Sequence, residues 1–273
     1  MFLLRMSALL PTSTRRTITN SCCDQKRSLR SPRFEFDRYA RPGFAVVESV
    51  LALRPKLAVF DCDGTLWSGD AGRDFFYWEM ERGIVSSEVA EAMRDRYRLY
   101  ERGEVGEEPM CGEMVTMNRG LPVDRLRAAG REFFDEVVSP RVFPEMQQLT
   151  QRLAENGCEI WAVSSTNDWV VEAGASRFGI PRERVLAACV HMNEGSATGR
   201  LLRVPTDELK VTAIREVIGR PVDAVFGNSI HDQAMLEIAK YPFCINPNAD
   251  LERVAKTKNW PIFWPNGTRP LAG

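Results

Sequence analysis

Histidine is scarce in this chain of 273 residues, which has only His191 and His231. Two imidazoles leave little material for a histidine-based metal centre or for Ser-His-Asp chemistry. Cysteine occurs seven times, at Cys22, Cys23, Cys62, Cys111, Cys158, Cys189 and Cys244. The number is odd and no C-x-x-C spacing occurs, which argues against a disulfide framework or a zinc site and fits a reducing compartment. An excess of charge is also lacking: 36 Lys and Arg face 37 Asp and Glu, for a net charge of −1. Neither nucleic acid nor a membrane surface is therefore expected as an electrostatic partner. No apolar run approaches the roughly 20 residues that a membrane-spanning helix needs. The 44% hydrophobic and 27% charged content is ordinary for a globular protein.

Residues 1–33 differ from the rest. They carry Arg5, Arg15, Arg16, Lys26, Arg27, Arg30 and Arg33 against the single acid Asp24, with frequent Ser and Thr. Such a leader reads as a disordered tail or an organelle transit peptide. The expected location is accordingly cytoplasmic, or an organelle if the leader is a targeting signal. A short helix is expected from Phe44 to Leu53, ended by Pro55.

The stretch that organises the chain is Asp61-x-Asp63-Gly64-Thr65, which follows the apolar run Leu57 to Phe60. The run reads as a buried strand. Two carboxylates one residue apart at its tip repel each other and are costly to bury unless a cation compensates them. In an open parallel sheet, ligands bind at the carboxyl ends of the strands. The region at about 70–140 has helical character, with Val89, Met93, Tyr97 and Tyr100 on one face. Further helices are expected around Met110 to Met117 and Leu126 to Val137, with breaks at Gly83, Gly103 and Gly120. Strand–helix alternation follows. A strand from Cys158 to Val163 ends in Ser164-Ser165-Thr166-Asn167. A helix from Asp168, a strand from Arg184 to Val190 and a hairpin-like excursion from His191 to Val204 come next. Lys210 sits early in a helix from Leu209 to Ile218, and a strand from Asp223 to Phe226 ends in Gly227-Asn228. A helix to Lys240, a strand from Pro242 to Ile245 and a final helix near Ala249 to Thr257 complete the chain. This alternation predicts an α/β fold with a doubly wound parallel sheet.

Four features stand in order on that pattern: Asp61-x-Asp63-Gly64-Thr65, Ser164, Lys210, and Gly227-Asn228-Ser229-x-x-Asp232. Together they resemble the haloacid dehalogenase superfamily, in its phosphoserine phosphatase-like branch, over about residues 56–247. The resemblance implies a Rossmann-like core at 34–68 and 141–273, with a helical cap at 69–140 inserted after the first core strand. It implies an Mg²⁺-dependent phosphatase that hydrolyses a small phosphomonoester. Asp61 would attack phosphorus to give an aspartyl-phosphate, and Asp63 would act as acid and then base. Ser164, with Ser165 as its rival, would bind a phosphoryl oxygen, and Lys210 would stabilise the developing charge. Mg²⁺ would be held by Asp61, the Asp63 carbonyl, Asn228 and Asp232.

The chain departs from the family pattern at Asn228, where the family usually has Asp. The amide offers an oxygen but no charge, so weaker metal binding is expected, with more of it falling to Asp232. Asp70, nine residues after the nucleophile, matches the acid that recognises a substrate amine. The cap arginine that grips a substrate carboxylate has no clear match, and Arg119 lies near its place but displaced. The aromatic set Trp67, Phe75, Phe76, Tyr77 and Trp78 is expected to pack cap against core, with a pocket wall for an alkylammonium group as the other reading. The expected partner is a small phosphorylated metabolite, bound by a monomer or homodimer. Phosphomutase or phosphotransfer chemistry, and a non-catalytic regulator that binds a phosphorylated ligand, stay open beside the phosphatase.

Overall fold

The computed structural model describes residues 42–265; the leader at 1–33 lies outside them. The chain runs α1 (Pro42–Ala52), β1 (Leu57–Phe60), α2 (Ala71–Glu81), α3 (Ser87–Glu101), α4 (Glu107–Thr116), α5 (Val123–Phe133), α6 (Pro144–Glu155), β2 (Glu159–Asn167) and α7 (Asp168–Ser176). It continues through β3 (Val185–Asn193), β4 (Ser196–Arg203), α8 (Glu208–Val217), β5 (Ala224–Gly227), α9 (Gln233–Glu237), β6 (Tyr241–Ile245), α10 (Ala249–Lys258) and β7 (Ile262–Phe263).

The sheet has the order β4-β3-β2-β1-β5-β6-β7. β1 is flanked by β2 and β5, both parallel to it, with Phe60 opposite Ala162 on one side and Phe226 on the other. Strand order thus reverses at β1, and the crevice of a doubly wound sheet opens at the carboxyl end of such a strand. Alternate residues of β1 feed the two faces. Ala58 and Phe60 join a core with residues of α1, α6 and α7, whereas Leu57 and Val59 join one with α8, α9 and α10. Phe60, Phe226 and Phe243 stack across β1, β5 and β6 with ring centroids 4.2 and 5.0 Å apart.

Three elements differ from the expected ones, and the hairpin-like excursion expected from His191 to Val204 is present as the antiparallel pair β3–β4 at one edge of the sheet. Its turn uses Glu194 and Gly195, both at positive φ, which suits the twist of paired strands. β2 continues past Val163 to Asn167, because pairing of Asn167 with Ala188 of β3 carries it through an irregularity. The helix expected up to Lys240 is reduced to α9, which follows a 3₁₀ turn at Ile230–Asp232. The short edge strand β7 was not foreseen.

Helices α2–α5 lie between β1 and β2 in the chain. Phe76, Met80, Tyr97 and Met110 form a cluster of their own, while Phe75 and Trp78 pack with Phe133 in the main core. Trp67 meets Phe134 edge-on at 5.3 Å. The aromatic set therefore packs the inserted helices together and onto the sheet, and none of its members lines the cavity described next.

Candidate active site

Asp61 follows β1 directly, and its amide still donates to the Phe226 carbonyl at 2.9 Å, so the side chain is set by the sheet. It is only 5% exposed. Lys210 Nζ donates to Asp61 Oδ1 at 2.8 Å and to Asp232 Oδ1 at 2.5 Å. Thr65 Oγ1 donates to Asp61 Oδ2 at 2.9 Å. Lys210 reaches this point from the first turn of α8, and its side chain is buried.

Asp63 is oriented by three donors. Trp67 Nε1 and the Ala71 amide reach its Oδ1 at 2.6 and 2.7 Å, and Thr166 Oγ1 reaches Oδ2 at 2.7 Å. The Ala71 amide belongs to the first residue of α2, so the carboxylate sits at that helix's N-terminus. Asp232 is fully buried, and its Oδ2 accepts from the amides of Asn228 and Ser229 at 2.8 and 2.9 Å. Gly227 permits this turn, since a Cβ there would stand 2.6 Å from the Asp232 Cβ. Gly64 adopts φ +73°, and a Cβ on it would lie 1.8 Å from Asn228 Nδ2. Only glycine lets these two loops touch.

Electrostatics follow from the charge count. Burial, then Asp232, pushes the Asp61 carboxyl up to about 7 against the pull of Lys210. Burial, then Asp70, pushes Asp63 up to about 6 despite its three donors. Burial opposes the charged form of Lys210, but Asp232 and Asp61 outweigh it and hold its pKa above the ordinary lysine value. Two carboxylates share the Lys210 ammonium and Asp63 has no cation partner among the described residues, so the site is short of positive charge.

Those residues are a test of whether Mg²⁺ fits. Among the described residues, no three His, Cys, Asp or Glu side chains converge to cage a metal. Asp232 has both oxygens engaged by protein donors and does not line the cavity, so the larger metal role expected of it is not what its contacts suggest. What faces the cavity is the Asp61 carboxylate, Asp63 and Asn228. A set of few, oxygen-only donors with room for water fits Mg²⁺, which is reluctant to shed its waters. The missing positive charge points the same way.

The cavity, of about 220 Å³, brings together Asp61, Asp63, Ser164, Ser165, Lys210 and Asn228, and Asp70 stands on its wall. Ser164 is buried, with Oγ accepting from the Thr166 amide at 3.2 Å, while Ser165 is half-buried. Arg119 is not brought in. It is exposed and packs on Gly199 of the β3–β4 hairpin, because the turn after α4 carries it away from the strand tips. His231 lines the cavity with Nδ1 2.8 Å from Asp207 Oδ1. Sequence reasoning assigned no role to Thr65 or Thr166, the hydroxyls that hold the two acids, or to Tyr97, Tyr100 and Glu107 on the far wall. The 3-residue spacing of the tyrosines on one helical face was the available signal.

The site is thus a set of carboxylates, two of them buried and bridged by a lysine, at the tip of the central strand of a doubly wound sheet. The sequence model of the haloacid dehalogenase-like hydrolases matches residues 58–237, and the chain belongs to that family. A protein of Neisseria meningitidis serogroup C named histidinol-phosphatase is 25% identical over 218 residues, covering 76% of this chain and 97% of its own. Among solved structures, a Bordetella pertussis protein of unknown function superposes with a TM-score of 0.66 at 23% identity, over 76% of this chain and 97% of that one. A phosphoserine phosphohydrolase-like protein of Francisella tularensis gives a TM-score of 0.51 at 17% identity, over 76% and 94%. The fold is thus that of the phosphoserine phosphatase-like members. No helix among the described residues is long and apolar enough to cross a membrane.

Proposed function

We propose that this hydrolase is an Mg²⁺-dependent phosphomonoesterase that acts on a small phosphorylated metabolite through an aspartyl-phosphate. The observation that carries the reading is the placement of Lys210 Nζ between Asp61 and Asp232 beside an Asp63 held by three donors. The relatives named as phosphatases support it.

Asp61 is the nucleophile: its carboxylate, held on Oδ1 by Lys210 and on Oδ2 by Thr65, attacks phosphorus in line with the leaving oxygen. Asp63, poised at about 6, gives its proton to that oxygen as the ester bond breaks. It then takes a proton from the water that hydrolyses the acyl phosphate. Ser164 and Lys210 stabilise charge on the phosphoryl oxygens. Bound Mg²⁺, held by Asp61, the Asp63 carbonyl and Asn228, would neutralise phosphate charge. Helices α2–α5, the proposed cap at 69–140, would exclude water from the cavity.

The test is release of inorganic phosphate from p-nitrophenyl phosphate with and without Mg²⁺, using the wild type and Asp61→Asn. Turnover that needs both Mg²⁺ and Asp61 supports the reading. Asn228 favours one second reading, a regulator that binds a phosphorylated ligand without turning it over. Binding of phosphate analogues with no Mg²⁺-dependent release would establish that one instead.

A further inference from the structure

Large apolar side chains left in solvent are unevenly spread over this protein. Among the described residues, the exposed ones are Met192, Leu201, Leu202, Leu209 and Val217, with Leu202 the most open at 52%. All of them stand on β3, β4 and α8. Leu201, Leu202, Leu209 and Val217 line one open groove of about 360 Å³, distinct from the cavity that holds Asp61. Single exposed leucines need no explanation, but a contiguous set marks a contact surface.

The groove lies along a sheet edge. β4 is the outermost strand, with β3 as its neighbour. Part of its outer side is already covered. The Gly120 amide donates to the Ala197 carbonyl at 2.8 Å, and the Ala197 amide donates to the Leu121 carbonyl at 2.9 Å. From Gly199 to Arg203 no further backbone segment among the described residues bonds to that side. An open strand edge that carries Leu201 and Leu202 is a template for another strand. The opposite edge is β7, only two residues long and preceded by Pro261, and both features resist pairing.

The charges around the groove decide what covers it. Glu108, Glu216 and Arg203 line it, and Arg200 lies on the same strand as Arg203. Arg203 Nε donates to the Ala187 carbonyl at 3.3 Å. None of the four has an ion-pair partner among the described residues. Two acids and two bases cancel, so the patch has no net sign. A strongly acidic partner would set like charge against the glutamates, and a strongly basic one would do so against the arginines. A surface that carries its own complement suits a two-fold axis, on which every contact between unlike residues is made twice. The net charge of −1 puts no long-range repulsion between two copies.

We infer that a second copy of this chain covers this face, so that the protein is a two-fold homodimer joined along β4 and α8. Leu201, Leu202, Leu209 and Val217 form the apolar centre of the contact. Around it the two arginines of one protomer face the two glutamates of its partner.

The test is analytical ultracentrifugation of the full chain over a concentration series, which should show a reversible monomer–dimer equilibrium. Leu202→Glu should raise the dissociation constant by roughly a hundredfold, the scale of losing an apolar anchor at an interface centre. Val217→Glu, on the other element, should act in the same direction, and circular dichroism checks that each variant is folded. Reversing both arginines (Arg200→Glu with Arg203→Glu) should raise the constant by roughly tenfold or more. Reversing both glutamates as well (Glu108→Arg with Glu216→Arg) should recover most of that loss, as contact between two identical faces requires. A monomer at every concentration would overturn the inference. So would a dimer that neither Leu202→Glu nor Val217→Glu weakens, or one in which the fourfold charge reversal is no tighter than the reversal of the arginines alone.

Discussion

Lys210 and Asp61 are 149 residues apart in the chain and 2.8 Å apart in the fold, with Asp232 on the other side of the same ammonium. The lysine neutralises two carboxylates that the sheet and its loops bring together, so it bears on folding and chemistry alike. Lys210→Met should leave both acids buried without a counter-charge, at a cost of about 3–5 kcal/mol. Urea denaturation should show a lower midpoint, and phosphate release should fall below detection. A variant with wild-type midpoint and rate would remove Lys210 from the site.

Asp63 is expected to protonate the leaving oxygen, and that help matters most when the leaving group is poor. Asp63→Asn should slow hydrolysis of an alkyl phosphate by roughly 10²–10⁴-fold. The loss should be smaller for p-nitrophenyl phosphate, whose phenolate leaves without protonation. Equal losses on the two esters would argue against the acid role.

How much of this could be read from the chain depends on where each residue lies. Asp61 and Ser164 were legible because apolar runs stop abruptly at them, and strand tips in an α/β pattern converge on one edge; Lys210 and Asp232 were legible through the resemblance that the ordered motifs carry. Tyr97, Tyr100 and Glu107 were not. Their place depends on how α3 and α4 rotate over the strand tips, and helical periodicity marks a buried face without saying whether a core or a cavity lies beneath it. Thr166 escaped notice because β2 runs farther than its apolar run, which carries the hydroxyl to Asp63. Arg119 failed for the converse reason: a residue near the right place in the chain was turned away by the loop after α4.

Asn228 stands where a further carboxylate would add negative charge beside the proposed cation. Asn228→Asp keeps the shape of the contact with Gly64 and adds that charge. The Mg²⁺ concentration giving half-maximal phosphate release should fall by roughly tenfold, since oxygen ligands bind a hard cation more tightly when charged. An unchanged Mg²⁺ dependence would show that residue 228 does not touch the ion.

Glu79, in α2, is 1% exposed, and neither carboxyl oxygen has a hydrogen-bond partner among the described residues. Burial pushes its pKa well above the ordinary value, with Asn118 pulling the other way. The folded protein therefore holds a proton that the unfolded chain releases above about pH 4.5. This group costs nothing at pH 4, and its penalty grows as pH rises toward the folded-state pKa. Glu79→Gln should raise stability at pH 8 by on the order of 1–3 kcal/mol and leave it nearly unchanged at pH 4. Chemical denaturation of both proteins at the two pH values checks this, and a gain that is the same at both would refute it.

The bond from the Ala71 amide to Asp63 fastens the first turn of α2 to the residue expected to shuttle protons. Any swing of that helix wide enough to admit a metabolite must stretch this tether or carry the carboxylate along. A neutral carboxyl is a weaker acceptor than an ionised one, so the grip on the helix slackens and tightens as the proton comes and goes. On the proposed function, the admission of substrate would thus be coupled to the charge on this one side chain.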